Sequence, residues 1–157
     1  MIAVLIVRAK VRGVSRLRLE RFLASARRAA GVSGEVNVLA TGSAEMRRLN
    51  RRFRGKDGAT DVLSFPAPGK DAGGEVAICV PMAARNARRL GHSAEKEMQI
   101  LILHGVLHLA GYDHELDNGQ MARREAKLRR ALGLPAGLIE RSAKRARRRS
   151  RRGPGKS

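Results

Sequence analysis

The chain has 157 residues, 43% of them hydrophobic, which suits one domain around a single core and excludes wholesale disorder. Its 33 Lys+Arg against 14 Asp+Glu give a net charge of +19, a field that favours polyanions such as nucleic acid or an anionic membrane surface. One cysteine, Cys79, excludes an intrachain disulfide and points to a reducing, cytoplasmic setting.

Residues 2–7 are apolar and β-branched, predicting a buried strand. They are too few to span a membrane, and they lack the basic flank of a signal peptide. Residues 17–30 place Leu19, Phe22, Leu23 and Ala26 at helical spacing, with Gly31 as the stop. Residues 35–40 read as a second strand. Thr41 or Ser43 can cap a helix to about Arg52, with Met46, Leu49 and Phe53 on its buried face. Residues 54–60, with Gly55, Asp57 and Gly58, form a loop. Residues 62–65 are a short strand which Pro66 and Pro68 confine to a sheet edge. Residues 69–74 are a mobile loop and 75–80 a further strand, in which Cys79 is a small buried hydrophobe.

Pro81 fits the first turn of a helix ending near Gly91. His92, at that boundary, is expected to be exposed and not a ligand. Ser93 caps the next helix, and Glu95 and Glu97 suit its positive N-terminal end. From Met98 to Ala110 that helix is apolar nearly all round, so it is the buried central one. Asp117 or Asn118 starts a helix closing at Gly133, with Met121, Leu128 and Leu132 facing inward. Residues 141–157 hold 9 basic and no acidic residues and read as a frayed helix dissolving into a disordered tail. Residues 1–140 still carry 24 basic against 14 acidic, so the excess is not confined to the tail. It can mark a polyanion partner, or simply a solvated arginine-rich surface. Four strands among about five helices indicate a single α+β domain over 1–140, a small mixed sheet packed with helices. No glycine-rich phosphate loop follows any strand.

Three of the four histidines fall between residues 104 and 114. His104 and His108 are four apart and share one helix face. Gly111 lets the chain turn left-handed, so that His114 can approach the same point from outside the helix. Three imidazoles with one open position make a catalytic metal site on the central helix, zinc first, since structural zinc sites fill all four positions. The spacing is also that of the metzincin proteases, which carry a glutamate directly after the first histidine as general base. Here that position is Gly105, which argues against peptide hydrolysis and is expected to leave room beside the metal for a bulky substrate.

The segment from His104 to His114 resembles the H-G-x-L-H-L-x-G-Y-D-H signature of the YbeY-type bacterial endoribonucleases, also described as ribosomal RNA maturation factors. Leu49-Asn50, Phe53 to Asp57 with Thr60 to Pro66, and Gly74 to Cys79 agree as well, so the resemblance spans roughly residues 36–132. It implies a zinc-binding single-domain α+β fold acting on single-stranded RNA, with small-subunit ribosomal RNA and ribosomal particles as partners and no role for membrane or DNA. It also implies that Arg54 is essential together with His104. Phe53 stands where the pattern more often has tyrosine, and the basic tail lies beyond the pattern.

An arginine fork suits Arg54 to phosphate oxygens in a phosphodiester transition state. Asp61 and Asp113 could each orient a ligand histidine or simply cap a turn. A bound metal would lower the pKa of water to roughly 7; that water, or the RNA 2′-hydroxyl, supplies the nucleophile. The competing readings are another metal-dependent hydrolase, or a non-catalytic RNA-binding assembly factor with a structural metal. With only four aromatic residues, most of them expected to be buried, base stacking would carry little recognition.

Overall fold

A computed structural model of the chain describes residues 3–10 and 12–152. Ile2, expected in the first strand, and Gly153-Pro154-Gly155 of the tail lie outside the described residues. In chain order the elements are β1 (Ala3–Val7), α1 (Arg16–Ala30), β2 (Glu35–Thr41), α2 (Ser43–Arg54), β3 (Val62–Pro66), β4 (Gly73–Cys79), α3 (Val80–Leu90), α4 (Ala94–Leu109), α5 (Gln120–Ala131) and α6 (Leu138–Arg152). The sheet order is β1-β2-β4-β3. β1, β2 and β4 run parallel, and β3 pairs antiparallel to β4 at the edge where its prolines placed it.

Strand alternation divides the core. Val36, Val38 and Ala40 of β2, with Val76 and Ile78 of β4, face the large cluster built on α1 and α4. Ala77 and Cys79 of β4 face the other way, onto Met46 of α2 and Leu63 of β3. α4 is central as its composition predicts: eleven of its sixteen residues are buried. Ser93 caps it, accepting the Lys96 N–H at 3.1 Å. Among the described residues no helix is long and apolar enough to cross a membrane.

Several expectations change. α2 runs to Arg54 and its N-cap is Gly42, without a side-chain cap; Thr41 Oγ1 instead donates to Glu45 at 2.8 Å. Phe53, expected inside, is 57% exposed: it stands in the last turn of α2, where its ring meets Phe65 at 5.1 Å and the charged Arg52 guanidinium at 5.3 Å rather than a buried apolar cluster. β4 starts at Gly73, two residues early. Glu97 does not serve the helix end: it is fully buried and accepts Arg141 at 2.6 and 3.1 Å and His92 at 2.9 Å. His92 is therefore partly enclosed, not exposed. A sixth helix, α6, runs through residue 140 without a break; its first turns are helical because Glu140 and Arg141 are tied to the body by Arg129 and Glu97.

Gly105 also departs from expectation. A methyl group there would sit 2.6 and 2.9 Å from the Val76 methyls and 3.2 Å from Ser64 Oγ. The missing side chain faces the sheet, and it lets α4 approach closely enough for Ser64 Oγ to donate to the Gly105 carbonyl at 3.2 Å. It makes no room beside the histidines. Overpacking a tight site costs about 1–3 kcal/mol, and alanine recovers up to about 1 kcal/mol of helix propensity. Gly105→Ala should therefore lose about 1–2 kcal/mol, read as a fall of a few degrees in the melting temperature. An unchanged melting temperature would show that the Val76 contact yields freely.

Candidate metal centre and cleft

His104 and His108 project from the last two turns of α4. Gly111, at φ 99°, then reverses the chain in a conformation that side chains rarely adopt, and the Tyr112 N–H returns to the Leu107 carbonyl at 3.2 Å. His114 arrives from this loop, so two ligand candidates stand on the central helix and the third beyond it. One ring nitrogen from each of the three lies within 4.8 Å of the others, and the ring centroids are 4.9, 5.3 and 5.3 Å apart.

The remaining nitrogens show which atoms are free. His108 Nδ1 donates to the Tyr112 carbonyl at 3.0 Å, which leaves its Nε2 as a lone pair. His104 Nδ1 meets Glu125 Oε2 at 2.7 Å, both groups buried. His114 Nδ1 is buried without a hydrogen-bond partner among the described residues, and an orphaned polar atom of that kind costs about 1–3 kcal/mol. Burial holds the His108 pKa below its ordinary value, and the neighbouring His104 and His114 push the same way. A neutral imidazole is the form a metal needs. The donor set fits a histidine-favouring transition metal with an open position.

These histidines line a cleft of about 680 Å³ with Arg54, Lys56, Asp61, Ser64 and the first turn of α6. Arg54, expected in a flexible loop, is instead the last residue of α2, so its backbone is fixed. Asn50 Nδ2 donates to the Gly58 carbonyl at 2.9 Å and closes the loop that follows. Asp61 makes no hydrogen bond to a histidine; burial, then the charge of Glu97, holds its carboxyl above the usual aspartate range. Asp113 takes the turn role, accepting the Glu115 N–H at 3.1 Å. Sequence reasoning missed Glu125 and Lys56. The signal for Glu125 was present: Met121, Glu125 and Leu128 follow helical spacing and are all buried, a carboxylate inside an apolar stripe.

A family model described as endoribonuclease YbeY matches residues 7–133. The chain is similar to endoribonuclease YbeY of Koribacter versatilis, with 54% identity over 148 residues covering 94% of this chain and 97% of that one. It is similar to the protein of the same description from Solibacter usitatus, with 52% identity over 123 residues covering 78% and 83%. For the Helicobacter pylori counterpart the values are 49% over 109 residues, 68% and 78%. Among solved structures it resembles the solution structure of a Thermotoga maritima protein, with a TM-score of 0.57 and 36% identity over 81% of this chain and 85% of that one.

Proposed function

The chain belongs to the YbeY endoribonuclease family, and on that premise we propose that it is a zinc-dependent endoribonuclease of the cytoplasm that cuts single-stranded RNA in small-subunit ribosomal RNA maturation and ribosome quality control, acting on ribosomal particles. The observation that carries this reading is one cleft in which three convergent histidines and Arg54 share the lining. His104, His108 and His114 would hold the metal, which when bound supplies a Lewis acid for a phosphoryl oxygen and activation for water.

The chain's own groups do the rest. Glu125 fixes the ring of His104, and the Tyr112 carbonyl fixes that of His108, the kind of support that sets tautomer and direction in histidine sites. Arg54 offers two parallel donors to a phosphate and Lys56 a second charge at the rim, where charge grows in the transition state. Position 105 carries no base and faces the sheet, which leaves the peptide-cleaving arrangement incomplete. The unit responsible is the body through residue 140, with 141–157 as a basic extension.

The test offers metal-loaded protein a single-stranded RNA, the same sequence as duplex and as single-stranded DNA, and an unstructured peptide. Single-stranded RNA alone should be cut, and a chelator should stop it. RNA bound but left intact would favour the assembly-factor reading; a cut peptide beside intact RNA would sink the assignment.

A further inference from the structure

α6 begins in the cleft and leaves it. Leu138, Ile139 and Ser142 contribute to the cleft lining. This first turn is fastened to the body: the Ile139 N–H donates to Glu125 Oε1 at 2.8 Å, Arg129 holds Glu140 at 2.9 and 3.1 Å, and Arg141 holds Glu97. Residues 142–152 are all exposed. They carry the helix about 15 Å past the cleft. The family model ends at residue 133, before the helix begins.

Leu138, Ser142, Arg145, Arg149 and Arg152 are separated by four, three, four and three residues, which puts them on one side of the helix. The side that lines the cleft at its base therefore carries three arginines farther out. Lys144, Arg147 and Arg151 stand on the far side. From Glu140 to Arg152 the only apolar residues are alanines, so α6 has no face to sink into a bilayer. Its charge calls for a solvated polyanion, and the groove at its base identifies which one.

We propose that Arg145, Arg149 and Arg152 form a rail for the phosphates of a single RNA strand leaving the cleft, so that nucleotides beyond the cutting point contribute to substrate capture. The proposal rests on the ribonuclease reading of the cleft. The three residues follow one another at steps of about 5 Å along the helix axis, and each guanidinium can take a phosphate through paired N–H donors. The first turn is fixed by Glu125, Glu140 and Glu97, so the rail starts in a set direction from the histidines.

Two triple variants test it: Arg145→Ala/Arg149→Ala/Arg152→Ala on the cleft side, and Lys144→Ala/Arg147→Ala/Arg151→Ala on the far side. Each removes three exposed charges. Cleavage by the metal-loaded protein is measured against salt with an RNA long enough to pass Arg152 and one too short to leave the cleft. Each phosphate neutralised on a single strand contributes a slope of about 0.7. The cleft-side triple should lower kcat/KM on the long RNA roughly tenfold at low salt and flatten its salt slope by about 2, with kcat nearly unchanged. The far-side triple should stay within about twofold, and the short RNA should not distinguish the variants. Equal loss in both triples, or equal loss on the short RNA, overturns the rail while leaving the nuclease intact. So does a cleft-side triple that only loses binding to phosphatidylserine vesicles. A parent protein that cuts no RNA overturns the cleft reading and the rail together.

Discussion

Replacing His104, His108 or His114 by alanine should reduce bound metal from about one equivalent per chain to almost none, and RNA cleavage should go with it. Each ring supplies one of three nitrogens within 4.8 Å, and two remaining donors do not make the same site. Elemental analysis of the purified variants reads this directly; full occupancy in all three would remove the metal centre from the account. His92→Ala is the control. It touches Glu97 and not the cluster, so it should cost some stability and keep the metal. Glu125→Ala separates ligand from support: all three histidines remain, yet loss of the bond to His104 Nδ1 should weaken metal binding about 10–100-fold. Metal competition measures that without any turnover.

Arg54→Ala should lower RNA cleavage about 10²–10³-fold, the range seen when one preorganised donor to a transition-state charge is removed. Metal content and melting temperature should not move, because the side chain is exposed at the end of α2 and is no part of either hydrophobic cluster. Arg54→Lys should fall between, since a single ammonium keeps the charge and loses the paired donors. Single-turnover kinetics with saturating metal give the comparison. An Arg54→Ala protein as fast as the parent would show that the phosphate is held elsewhere, Lys56 being the next cation on the rim.

The histidine cluster was legible because its logic is local. A four-residue step fixes a shared helix face, and Gly111 permits the turn that brings His114 back. The strand order could be anticipated only at Val62–Pro66, where prolines forbid a central position. What depended on distant partners was hidden. Glu97 looked like a helix-end carboxylate until Arg141, 44 residues later, supplied its counter-charge. Glu125 lay in the apolar stripe of Met121 and Leu128, but its partner His104, 21 residues earlier, was not visible from that spacing. Phe53 kept the helical period of Met46 and Leu49, but a period assigns a face without saying how much of that face finds a partner. Gly105 was read against the metal, whereas Val76 of β4 stands opposite it.

That last contact bears on how this protein could change occupation over generations. A glycine codon can become a glutamate codon by one base, and at position 105 the change would write the zinc-protease pattern into the chain. The new carboxylate would be driven between two Val76 methyls and Ser64, with the helix levered from the strands before any base reached solvent. The barrier between the two trades is therefore set by Val76 and Ser64 on the strands, residues that the sequence gives no reason to connect with the choice of chemistry. A lineage that crossed it would have to hollow out β3 and β4 first, and would have to survive as a poorly packed nuclease meanwhile.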